Sequence, residues 1–88
     1  MKQNTNAANV EAGDMVTVNF TGGYPRAEQT LSGEVVAVSS DAVVIRTDLG
    51  RVFHEVTDGM VRSAKSRDKL GTRHGRTRGE FTGMEVTA

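Results

Sequence analysis

Apolar and polar residues alternate cleanly after Gly13-Asp14. Val16, Val18 and Phe20 point one way while Thr17 and Asn19 point the other, the period of two of a half-buried strand. From Thr21 to Thr30 the alternation stops at Gly22-Gly23, Tyr24-Pro25 and a polar run, which predicts a ten-residue loop. Leu31 to Val38 resumes it, with Leu31, Val35 and Ala37 on one face, Val36 and Val38 on the other, and Gly33 where strands bend or bulge. Two apolar faces suit a strand curled inside a small barrel. Ser39-Ser40-Asp41 is turn chemistry, Ala42–Thr47 a third strand, Asp48-Leu49-Gly50 a second tight turn, and Arg51–Val56 a fourth strand. Between Thr57 and Gly79 the pattern dissolves. Asp58 as a cap, Met60, Val61 and Ala64 at helical spacing and Gly71 as a stop allow a short helical turn there. Glu80–Val86 closes the chain as a fifth strand, with Thr82, Met84 and Val86 opposite Phe81, Gly83 and Glu85.

Composition supports this all-β reading. The chain has 88 residues, room for one domain, and twelve Val against three Leu and one Ile, a β-branched bias that favours pleated, half-buried surfaces. Residues 1–12 are polar and Asn-rich, with the single Val10, and are expected to form a disordered tail; residues 13–88 are expected to form the barrel. No Cys is present, which excludes a disulfide framework and thiolate metal sites. No apolar run approaches the roughly 18 residues of a membrane span, so a cytoplasmic protein with no membrane partner is expected.

Charge adds the strongest functional clue. The formal net charge is zero, yet residues 1–60 carry four basic and eight acidic side chains while 61–88 carry seven basic and three acidic. All seven lie in the 17 residues from Arg62 to Arg78: Arg62, Lys65, Arg67, Lys69, Arg73, Arg76 and Arg78, with Asp68 the one acid among them. Gly71, Gly75 and Gly79 interleave them, which would let backbone lie close to a phosphate while arginine forks reach it bidentately. These residues are the candidate nucleic-acid contacts. Phe20, Phe53 and Phe81 fall in strands and read as core, leaving Tyr24 beside Pro25 as the one aromatic free to stack on a base. Backbone-led, sequence-tolerant binding follows from so few aromatic platforms.

The run Gly13-Asp14 before Met15-Val16-Thr17-Val18, then Gly33-Glu34-Val35-Val36-Ala37-Val38, then Val43-Val44-Ile45-Arg46-Thr47 turning through Asp48-Leu49-Gly50 into Arg51-Val52-Phe53, resembles an SH3-like small β-barrel. Within that class it is similar to KOW-type modules of transcription and translation proteins and, less closely, to Sm-type barrels. The resemblance covers Gly13 to Val86 and implies a five-stranded barrel; the basic Gly-rich segment 57–79 departs from the usual pattern as an insertion before the last strand.

The leading expectation is a non-enzymatic module that holds RNA or DNA phosphates. The alternative is a protein-interaction or structural subunit, in which the basic segment docks an acidic protein surface or the barrel self-associates through open sheet edges. Arg73-His74-Gly75-Arg76-Thr77 resembles the Arg-His-Gly-x-Thr motif of phosphoglycerate-mutase-like phosphatases, but that motif belongs to a large α/β domain and the β pattern here offers none. His54 shares a strand face with Val52 and Val56 and reads as a core histidine. No catalytic pair, metal site or cofactor is implied.

Overall fold

The computed structural model describes residues 3–5, 10–47, 52–57, 59–70, 72 and 75–87. Seven strands run in chain order: β1 Gln3–Thr5, β2 Met15–Gly22, β3 Ala27–Val38, β4 Ala42–Thr47, β5 Phe53–Thr57, β6 Met60–Ala64 and β7 Arg76–Val86. Each of β2 to β6 pairs antiparallel with the next, and β7 pairs with both β6 and β2, so six strands close into a barrel. The short β1 lies outside that ring, against Met84–Val86 of β7.

Alternation builds the interior. Val16, Val18 and Phe20 from β2, Val35 from β3, Val43 and Ile45 from β4, Val56 from β5, Val61 from β6 and Met84 from β7 form one buried cluster, with Leu31, Phe81 and Val86 packed at its margin. Full burial of such a side chain contributes roughly 1.5–3 kcal/mol. Val10 joins the cluster at 4 % exposure. Behind it, the Glu11 amide donates to the Asp14 carboxylate at 2.9 Å, and Gly13 and Asp14 bond the Val35 backbone at 2.8 and 2.9 Å. The packed body therefore takes in Val10, ahead of Gly13.

The fold departs from the sequence expectation in three places. A sixth strand, β6, sits inside the segment read as an insertion. Thr57 pairs with Met60 across a two-residue connection containing Gly59 at φ 72°, and Asp58-Gly59 is itself a hairpin sequence. The strand hid because its inward residues are Val61 and a serine, Ser63, so one apolar position stands where alternation needs two. Between β6 and β7, the helical turn among the described residues is a 3-10 turn at Arg67–Lys69.

The ten-residue loop shrinks to the four residues Gly23–Arg26, because β2 and β3 stay in register out to Gly22 opposite Ala27. Backbone pairing continues past the last core residue there, carrying polar side chains into solvent. Finally, Phe20 faces Phe81 while Asn19 faces Gly83, so Thr82 is an extra residue on β7. That bulge resets the alternation and puts Phe81 on the same inner side as Met84. A second bulge falls at Val36 of β3, three residues beyond Gly33. The turn expected at Asp48-Leu49-Gly50 lies outside the described residues. Among the described residues, no helix is long and apolar enough to cross a membrane.

Candidate functional site

Closure of the barrel also gathers the basic side chains. On β6 and β7, Ser63 stands opposite Arg76, so the two side chains share a face. Between Val61↔Gly79 and Arg62↔Thr77 the register shifts, which makes Arg78 the extra residue of a bulge. Two glycines position it: Gly22 of β2 is paired with Gly79 of β7, and a Cβ at Gly22 would overlap the Arg78 carbonyl oxygen. The backbones approach there only because neither residue has a side chain. The Arg78 guanidinium consequently lies over the Phe20 ring, 6.0 Å from its centroid, a cation–π contact.

Residues 65–70, 72 and 75 fold back on the barrel. Leu70 is 3 % exposed and anchors them. The Arg62 guanidinium donates to the Thr72 carbonyl at 3.2 Å, the Thr72 hydroxyl donates to the Lys69 carbonyl at 2.9 Å, and the Gly75 amide donates to the Thr72 carbonyl at 3.0 Å. A Cβ at Gly75 would stand 2.7 Å from the Leu70 carbonyl oxygen. Gly75 and Gly79 thus serve close packing of the protein against itself, where the sequence suggested close approach to a ligand.

These elements enclose an open cavity of about 380 Å³ lined by Val52, Ser63, Ala64, Lys65, Lys69, Arg76 and Arg78. Four of the lining residues are cations and none is a carboxylate. The ion pairs among the described residues lie elsewhere: Arg26 with Glu80 at 2.9 Å and Arg46 with Glu34 at 3.1 Å. Of the seven cations expected to bind, the structure brings Lys65, Lys69, Arg76 and Arg78 together. Arg62 is instead a structural staple, with its Nε buried and unpartnered. Arg67 is exposed on the 3-10 turn and does not line the cavity. Arg73 lies outside the described residues. Asp68, fully exposed, is held below its ordinary pKa first by the Ser66 hydroxyl, then by its own backbone and the Lys69 charge. Tyr24 is fully exposed in the β2–β3 turn and is not among the residues that line the cavity.

Sequence reasoning missed Ser63, Ala64 and Val52, because they become neighbours only through the β5–β6–β7 pairing. It also missed the partner of His54. His54 is 4 % exposed, paired in register with Ser63, and its Nδ1 is hydrogen-bonded to the Ser63 hydroxyl. Burial, aided by the Arg78 charge, pulls its pKa from 6.5 down to about 4, so the ring is neutral near pH 7. Nε2 is buried without a partner. A bare lone pair at a buried Nε2 costs less than a buried N–H with no acceptor. The favoured tautomer therefore carries its proton on Nδ1 and donates it to Ser63 Oγ, leaving the Ser63 hydroxyl proton for another acceptor.

The molecule is a small closed all-β barrel, an architecture consistent with the SH3-like and Sm-like small barrels. No family model, curated protein or solved structure matches the chain. Among the described residues no three His, Asp or Glu side chains are grouped to hold a metal ion.

Proposed function

We propose that this barrel is a non-enzymatic module that binds nucleic-acid phosphates at its mouth, through Lys65, Lys69, Arg76 and Arg78. One observation carries the reading: four cations and no carboxylate stand among the described residues that line one cavity, on a chain whose formal charge is zero. Cations gathered around one cavity and held in none of the described salt bridges can release counterions from a polyanion. Arg76 and Arg78 supply bidentate forks and the lysines supply point charges, a combination that grips phosphate without reading bases. Tyr24, exposed on the β2–β3 turn, adds one stacking surface. The KOW-type likeness of the strand and turn sequences agrees with a nucleic-acid partner. His54 is a poor general base for Ser63, being strongly desolvated and lacking a carboxylate to orient it, which favours binding over catalysis.

Docking onto an acidic protein would use the same cations, but a recessed cavity suits a compact phosphate better than a flat acidic face. Self-association through sheet edges has little backbone to work with. In the closed barrel the longest stretch paired on one side only is 27–32 of β3.

Fluorescence anisotropy of generic RNA and DNA oligomers between 50 and 200 mM salt tests the reading. Four neutralised phosphates give a log–log slope of about −3 to −4, so affinity should fall by about two orders of magnitude over that range. A flat salt response, or no binding at 50 mM, overturns it in favour of a protein partner.

A further inference from the structure

Within that reading, on which this step rests, we infer that the cavity captures a phosphate monoester, the terminal phosphate of a strand, in preference to phosphodiesters along it. The cavity lining carries the inference. Ser63 lines the cavity yet is only 7 % exposed, so the four-cation lining includes one nearly buried hydroxyl-bearing residue. A phosphodiester inside a strand carries a sugar on each side and meets so buried a residue only if the strand kinks. A terminal phosphate enters with one attachment and three free oxygens.

The hydrogen-bond inventory points the same way. His54 Nδ1 and Ser63 Oγ are hydrogen-bonded; in the tautomer with the proton on Nδ1 the ring donates to Oγ, which frees the serine proton for an acceptor in the cavity. His54 is thus a positioning residue: it touches no ligand and acts by fixing which way Ser63 donates. Its neutrality matters, since a second cation this deep would already sit against Arg78.

Charge balance adds a third argument. A phosphate monoester carries about −1.5 to −2 near neutral pH, whereas each diester carries one charge. Lys65, Lys69, Arg76 and Arg78 around one cavity match the more highly charged group. Val52 and Ala64 give the wall an apolar portion suited to the one sugar that follows the phosphate. The volume of about 380 Å³ lies at the small end of small-molecule sites, roughly 300–1,000 Å³, and holds a terminal nucleotide better than a length of strand.

The test compares one short oligonucleotide in four forms by competition anisotropy at 100 mM salt: 5′-phosphorylated, 3′-phosphorylated, unphosphorylated and circularised. A free nucleoside monophosphate is a fifth competitor. At least one phosphorylated form should bind roughly tenfold to a hundredfold tighter than the unphosphorylated and circular forms, the worth of one hydrogen bond to a charged group. Ser63→Ala should remove most of that preference. Lys69→Ala, on the exposed turn where no core is disturbed, should weaken every form. Equal binding of all four forms with a steep salt slope overturns end capture and leaves the nucleic-acid reading standing. Binding of the free monophosphate without the oligomers keeps the monoester site and overturns the nucleic-acid reading. No binding of any form overturns both.

Discussion

The wall and the mouth of this barrel use charged residues in opposite ways. On the wall, Arg46 meets Glu34 across β3 and β4, and Arg26 meets Glu80 between the β2–β3 turn and β7, each on an exposed surface. Such pairs contribute little, roughly 0–1 kcal/mol. At the mouth, Lys65, Lys69, Arg76 and Arg78 line a cavity with no carboxylate among its described lining residues. The wall cations Arg26 and Arg46 each meet a carboxylate, whereas the mouth cations are gathered around one space. Damage to the wall should therefore appear as lost stability, and damage to the mouth as lost affinity.

The largest effect should come from Gly79→Val, since a Cβ there would overlap the Thr21 carbonyl oxygen across the β2–β7 pair. Overpacking against backbone should cost about 3 kcal/mol, read as a lower midpoint in urea. Next, the quadruple variant Lys65, Lys69, Arg76, Arg78→Ala should lose at least about a hundredfold in oligonucleotide affinity at 50 mM salt while its urea midpoint barely moves. A matched loss of stability would break the division between wall and mouth.

The third effect depends on pH. The folded His54 resists a proton until about pH 4, whereas in the unfolded chain it takes one up near 6.5. Its contribution is fully present above pH 6.5 and falls as pH drops through that window, by about 2 kcal/mol and at most about 3. Urea titrations at pH 7 and pH 4.5 should show the fall, and His54→Gln should remove this part of it. The smallest effect should be Arg46→Ala, under about 0.5 kcal/mol in stability and under twofold in binding.

The same division explains what the sequence disclosed. The wall was legible because Val16, Val18 and Phe20, then Val43 and Ile45, obey a local period of two that needs no partner to be seen. Where the period breaks, at Val36 and at Thr82, the bulges are set by what the neighbouring strand requires; Phe81, read as core, does pack on the core, but on the same side as Met84 rather than opposite it. The sixth strand carried its signal in the Asp58-Gly59 sequence, outweighed by Ser63 at an inward position that alternation would fill with an apolar residue.

The mouth was legible as charge and illegible as geometry. Counting basic residues found Lys65, Lys69, Arg76 and Arg78, yet nothing local separates them from Arg62, whose guanidinium turns back to the Thr72 carbonyl, or from Arg67 on the outer turn. The Ser63 and His54 contact depends on the β5–β6 register, which brings together residues nine apart in the chain.

Amide chemical-shift mapping with a 5′-phosphorylated oligonucleotide tests the central claim most directly. Perturbations should concentrate on residues 63–65, on Lys69 and on residues 76–78, and leave β3, β4 and their Arg46–Glu34 pair unmoved. Perturbations centred on the outer faces of β3 and β4, or none at low salt, would contradict a phosphate-binding mouth on an inert wall.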